Sequence, residues 1–218
     1  MSDFNSSNKK AIYVVFLETP FKIGKFIRMV TKYNYNHASL SFSENPDILY
    51  SFARYNKNSP FVGGFVEESP LRYIKDVNKK TIVKIFKIEL EDTYYNSVKE
   101  YVELLKLNKD DYIYNLFSAM CYPFHREIKI KNAFICIEFI LNILKIANVI
   151  PQDYKRKFSF KALSKELEKN KVYEGDIKEI ISSTPYLQDK FFEKVSRKRV
   201  FIDTIKSIYT LSSRLIVN

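Results

Sequence analysis

Hydrophobic residues make up 46% of the 218 positions, aromatic residues 16% with no tryptophan, and charged residues 28%; that balance supports a sizeable core and excludes a wholly disordered chain. The formal charge is +11, from 36 Lys and Arg against 25 Asp and Glu, yet the basic residues are scattered. They cluster only at 153–161 and 196–200, no nucleic-acid motif accompanies them, and nucleic acid is therefore not the expected partner. The length suits one domain, read as residues 1–150 with a helical C-terminal extension, 151–218, packed on it.

Two cysteines, Cys121 and Cys136, are too few for a disulfide framework and lack metal-ligand spacing. They point to a reducing, cytoplasmic home. The opening "MSDFNSSNKKAIYVVFLETP" mimics a secretion signal, but its apolar run is short and "ETPFK" replaces a small-residue cleavage site. No apolar run approaches the roughly 18 to 20 residues of a membrane span.

In chain order, "AIYVVFLE" (11–18) is β-branched and aromatic on both faces, which predicts a buried strand. "TPFKIGKFIRMVTK" follows, with Thr19 as a helix cap, Pro20 at the first helical position and apolar residues at helical spacing. "HASLSFS" (37–43) alternates strictly, Ala38, Leu40 and Phe42 on one face and His37, Ser39, Ser41 and Ser43 on the other, as a half-buried strand does. After the turn residues "ENPD", "ILYSFARY" reads as a strand. In "FVGGFVEESPLRYI", Gly63 and Gly64 suggest a tight turn or a close backbone approach. "TIVKIFKIEL" (81–90) is a further strand with two lysines facing out.

The remainder reads as mostly helical. Residues 91–108 open with acidic side chains and continue at helical spacing, and "DYIYNLFSAMCY" is a second candidate. In "KNAFICIEFILNILKIAN" (131–148), Asn132 suits an N-cap. The polar residues Glu138, Asn142, Lys145 and Asn148 leave one narrow wet stripe on an otherwise covered helix. "SFKALSKELEKN" and residues 185–218 predict further helices, the last amphipathic and basic, suited to an anionic membrane surface. Together the elements predict an α+β fold, an antiparallel sheet packed against helices.

Chemistry concentrates on two residues. A thiol at Cys136, in the first turn of its helix, feels the positive end of the helix dipole, which favours thiolate. The N–H groups there suit an oxyanion. A lone cysteine in an apolar helix is, however, usually a small core residue. His37, one of two histidines, opens a strand on its polar face, where an imidazole can take a thiol proton and return it to a leaving group. His125, in "YPFHREIK", reads as a surface residue.

The order strand, helix, strand opened by His, hairpin, then helix opened by Cys resembles the circularly permuted branch of the NlpC-type papain-like cysteine peptidases. That branch includes the YiiX-like bacterial hydrolases and, more distantly, the lecithin retinol acyltransferase group. The matching segments are "YNHASLSF", "ILYSFAR" with "GGFVEESPLRYI", "YIYNLF" and "FICIEFI", covering about residues 11 to 150; Ile137 is bulkier than the small residue usual after the cysteine.

The resemblance implies a permuted papain-like fold and a cysteine hydrolase or acyltransferase. Cys136 would be nucleophile, His37 base and then acid, and the Cys136 backbone N–H part of an oxyanion hole. Related sequences often orient the histidine with a Glu on the following strand; the positional match is Ser51, with Glu67 and Glu68 as alternatives. Tyr112 and Tyr114 are either cleft-lining or packed aromatics. The implied substrate is a peptide or an acyl lipid, with no cofactor and no metal. The alternative is a binding protein whose chemistry has decayed, motivated by the missing carboxylate at position 51.

Overall fold

A computed structural model describes residues 9–74, 76, 78–154, 159–181 and 189–216. The fold is α+β. Six strands form one antiparallel sheet in the order β4-β3-β2-β1-β5-β8, with β1 Lys10–Leu17, β2 His37–Ser41, β3 Leu49–Arg54, β4 Gly63–Glu68, β5 Ile82–Leu90 and β8 Lys171–Asp176. A separate parallel pair, β6 Ile113–Tyr114 and β7 Ala133–Phe134, lies beside it.

The doubly apolar β1 sits at the centre of the sheet, hydrogen-bonded on both sides, because both of its faces have a core to fill. Ile12, Val14 and Phe16 join the larger cluster with residues of helices α2 (Asp92–Leu107), α4 (Cys136–Ile146) and α5 (Phe160–Leu167). Tyr13, Val15 and Leu17 join a smaller one on the other face with Leu49, Tyr73 and Ile177. Side-chain alternation on a strand makes this division automatic. The same second layer buries the face of β2 that carries His37, Ser39 and Ser41, so every residue of β2 is buried rather than half-buried.

Gly63 and Gly64 form no turn. They open β4 opposite Arg54 and Ala53, where a Cβ on Gly63 would meet the Ala53 carbonyl and one on Gly64 the Tyr55 ring. Close backbone approach is the reason for both.

Three further expectations are corrected. The first helix, α1, runs Lys22–Thr31 with Phe21 at its cap, so Thr19 and Pro20 precede it; Thr19 instead exchanges hydrogen bonds with Asn36. "DYIYNLFSAMCY" divides into β6 and a short α3, Leu116–Cys121, capped by Asn115.

The C-terminal extension is not purely helical, since β8 pairs with β5 and completes the sheet. Beyond it come a 3-10 turn at Lys190–Phe192 and α6, Arg197–Ile216. Of the basic cluster at 153–161, residues 155–158 lie outside the described residues. Among the described residues no helix is long and apolar enough to cross a membrane.

Candidate active site

His37 begins β2 at the point where β1 ends, opposite Leu17. Its position is fixed from the chain before it. The Asn36 N–H donates to the Leu17 carbonyl at 3.1 Å, while the Asn36 amide oxygen accepts from the Thr19 N–H at 3.0 Å and from Arg28 Nη1 at 2.8 Å. Cys136 is the first residue of α4, whose start is held by the β6–β7 pair and by the Asn115 N–H donating to the Phe134 carbonyl at 3.0 Å. The helix cap is Ile135, not Asn132, which takes a left-handed φ of 54° just before β7. Glu138, at the third helical position, accepts the Ile135 N–H at 2.6 Å, a carboxyl group serving as half of a capping box.

The two elements bring the Cys136 thiol against the His37 ring, close enough for hydrogen bonding between them. The ring Nε2 donates to Glu68 Oε2 at 3.0 Å. The Ser39 hydroxyl donates to the same oxygen at 3.1 Å and lies 3.2 Å from Nε2. With Nε2 committed to the carboxylate, Nδ1 is the nitrogen left to exchange a proton with the thiol. The Tyr73 ring packs beside the imidazole, with centroids 5.6 Å apart, and its hydroxyl is within hydrogen-bonding reach of Glu68.

Ser51 does not occupy the orienting position. It is fully buried, and its hydroxyl donates to the Ala38 carbonyl at 2.9 Å. Glu67, one residue from Glu68 and hence on the other face of β4, pairs with Lys106 at 3.5 Å. Glu68 is the carboxylate at His37. Tyr114 lines the cleft, whereas Tyr112 stacks on Phe134 within the aromatic core. His125 is exposed at the end of a 3-10 turn, with φ 56°.

Glu68 is completely buried yet ionised, because its second oxygen accepts from Arg72 Nη1 at 2.9 Å. Arg72 in turn gives Nε and Nη2 to the two carboxylate oxygens of Asp189, at 2.6 and 2.7 Å. Asp189 also accepts the Ser69 and Phe191 N–H groups. The C-terminal extension thus supplies the outermost member of the chain Asp189, Arg72, Glu68, His37, Cys136.

Burial alone would push the His37 pKa down, but Glu68 and Cys136 more than offset it and hold it well above the ordinary value. Burial alone would raise Glu68; His37 and Arg72 outweigh it and hold this carboxyl below the usual range. An imidazole that keeps its proton above neutrality beside a thiol favours a thiolate–imidazolium pair.

His37, Glu68 and Cys136 sit at the floor of an open cleft of about 430 Å³. Its walls are apolar, drawn from α1 (Ile23, Phe26), the β3–β4 loop (Phe61), α3 (Leu116, Met120) and Phe191. Such a shape, apolar walls with a few convergent polar groups, suits a small ligand or a chain segment. Among the described residues no cluster of side chains is placed to hold a metal ion. Neither protein-family models, curated proteins nor solved structures gave a match to this chain.

Proposed function

We propose that the protein is a cysteine hydrolase or acyltransferase of the permuted papain-like kind, acting on an amide or ester through a thioester. The observation that carries this reading is the buried Cys136–His37–Glu68 array at the cleft floor. In it, each group has the partner its role requires.

Nδ1 of His37 takes the Cys136 proton, and the sulfur attacks the substrate carbonyl carbon. The carbonyl electron pair moves onto oxygen, which faces the N–H groups of Cys136 and Ile137 in the first turn of α4, groups without an intrahelical partner. The oxyanion collapses, the bond to the leaving amine or alcohol breaks, and the imidazolium gives that group its proton. Water, or an acceptor hydroxyl or amine deprotonated by His37, then attacks the thioester and restores the thiol. Glu68 holds the ring in the tautomer with Nε2–H and stabilises the imidazolium.

Glu68 at His37 supplies the carboxylate that position 51 lacks, which supports the catalytic reading over that of a decayed binding protein. The two free cysteines suit a reducing compartment, and we place the activity in the cytoplasm. Exposed Phe201, Ile205 and Ile208 lie one turn apart along α6, with Arg197, Lys198, Arg199 and Lys206 on the same helix. This pattern supports an anionic membrane surface as the place where an acyl lipid is met.

The test is alkylation by iodoacetamide as a function of pH, read at each cysteine by peptide mass spectrometry. Cys136, beside the His37 imidazole, is expected to be alkylated much faster than Cys121 at about pH 6–7, and His37→Ala should abolish the difference. Two cysteines that titrate alike would overturn the proposal.

A further inference from the structure

Arg54, the last residue of β3, lines the same cleft as Cys136 and His37. The other buried or half-buried arginines around the site are committed: Arg72 to Glu68 and Asp189, and Arg28 to Glu18, the Thr19 carbonyl and Asn36. Arg54 has no carboxylate partner among the described residues. Its one hydrogen bond there is a long one, Nη1 to the Lys57 carbonyl at 3.4 Å.

The guanidinium is nevertheless held in place. It lies alongside the paired rings of Phe21 and Phe191, 5.5 Å from each centroid, the two rings packing 5.2 Å apart. A guanidinium carries five N–H donors, and within the described residues most of those of Arg54 are not spent on protein groups, which leaves them for an anion in the cleft. Burial lowers its pKa, the Tyr114 and Tyr73 hydroxyls act in the opposite direction, and Arg72 adds to the lowering. A cation positioned at the cleft by two aromatic rings rather than by a salt bridge keeps its donors available to a ligand.

Resting on the hydrolase or acyltransferase reading of this cleft, we propose that Arg54 is a specificity residue that binds an anionic group of the substrate. That group is a carboxylate or a phosphate close to the scissile carbonyl. The apolar walls take a hydrocarbon chain, the N-terminus of α4 takes the carbonyl oxygen, and the guanidinium takes the anion in a two-pronged contact. The substrate class is an anionic acyl amphiphile; a neutral peptide would leave Arg54 unpaired.

The test uses the intact chain and three ligands of equal chain length, decyl phosphate, decanoate and decanol, each below its micelle-forming concentration. Binding is read as protection of Cys136 from iodoacetamide and, independently, by calorimetry. The two anions are expected to bind about tenfold or more tightly than decanol. Arg54→Met should erase that preference while leaving decanol binding unchanged, which shows that the cleft is intact, and Arg54→Lys should keep part of it. A stronger effect with phosphate than with carboxylate assigns the headgroup as a phosphoester, and the reverse assigns a carboxylate.

Equal binding of anion and alcohol by the wild type, or an anion preference that survives in Arg54→Met, overturns the proposal. Calorimetric binding does not require a reactive thiol. If the hydrolase reading failed, the anion preference would persist with Cys136 titrating as an ordinary thiol; if the Arg54 inference failed, Cys136 would be activated without any anion preference.

Discussion

Two buried carboxylates flank the Cys136–His37 pair, and they are in opposite states. Glu68, on β4 behind the imidazole, is fully buried and ionised below the usual carboxylate range. Glu138, on α4 two residues beyond the cysteine, is 5% exposed, and its burial pushes it up to about 8, against the opposing pull of the Ser118 hydroxyl and the Ile135 N–H. Burial is nearly equal in the two; counter-charge is not. Glu68 faces an imidazolium and a guanidinium, whereas Glu138 accepts the Ile135 N–H at 2.6 Å and, among the described residues, pairs with no cation. One carboxylate is built to hold a charge next to the His37 imidazole. The other is a neutral cap at neutral pH, which keeps negative charge away from the N-terminus of α4 beside Cys136.

The harshest way to break this comparison is Glu68→Ala. It leaves Arg72 and the imidazolium facing an empty buried site, and the expected loss is about 3–5 kcal/mol of folding free energy, read from urea midpoints. In whatever fraction folds, Cys136 alkylation at pH 7 should slow toward that of Cys121. The pH dependence has a definite sign. A carboxyl whose folded pKa lies below its unfolded value contributes stability above the ordinary carboxylate range and loses it as pH falls through the folded value. Wild type should therefore lose stability below about pH 4.5 more steeply than Glu68→Gln. Equal acid sensitivity would mean that Glu68 is not the charged member.

Glu138 should behave in the opposite sense. The unfolded chain releases this proton near 4.5 while the folded protein keeps it until about 8. Its contribution is therefore full below the unfolded value and drains away as pH rises toward the folded one. Glu138→Gln keeps an oxygen for the Ile135 N–H and cannot ionise. Relative to wild type, this variant should gain a few kcal/mol between pH 5.5 and pH 8, measured as the change in the gap between the two urea midpoints. Parallel midpoints at both pH values would show that Glu138 titrates normally.

The comparison can be sharpened at its outer end with Asp189→Asn. Asp189 neutralises Arg72, so that the charge of Glu68 acts on His37 undiminished. Replacing one of its oxygens by an amide breaks one contact of a buried bidentate pair and should cost about 1.5–3 kcal/mol. More tellingly, the uncompensated guanidinium should lower the His37 pKa, visible as an imidazole NMR titration shifted to lower pH and, because a weaker imidazolium stabilises the thiolate less, as a rise of the Cys136 alkylation profile shifted to higher pH. A loss of stability with an unmoved imidazole titration would make Asp189 a clip for the C-terminal segment and nothing more.

Much of this arrangement is legible in the sequence where the signal is local. The doubly apolar 11–18 stretch does become a central strand, the alternation of 37–43 does put His37 and Ser39 on one face, and the apolar run from Cys136 does become a covered helix. What escapes is set by long-range register. "EE" at 67–68 reveals only that one of the two glutamates faces the histidine layer. Which one depends on β4 pairing with β3 so that Glu68 opposes Leu49, and no local pattern fixes that. The role of Arg72 depends on Asp189, 117 residues away. β8 is not legible locally because its exposed edge position leaves "KVYEGD" without an apolar face. Ile135 as cap was readable in one respect: Glu138 stands three residues on, the spacing of a capping box.

Ser51 tests the smallest difference. Position alone puts it where a carboxylate orients the histidine, but its hydroxyl is spent on the Ala38 carbonyl, a backbone group that neighbours His37 in the chain without touching the imidazole. Ser51→Ala therefore removes one buried hydrogen bond and leaves one carbonyl less well satisfied, an expected cost of about 1 kcal/mol in a urea titration. Because Glu68, Ser39 and Tyr73 surround the ring independently of Ser51, the pH profile of Cys136 alkylation should superimpose on that of wild type. A profile displaced by as much as the one from Asp189→Asn would return Ser51 to the orienting position and reduce Glu68 to a structural charge. An unmoved profile would locate the whole electrostatic support of His37 on the segment from Glu68 to Tyr73 and its partner Asp189.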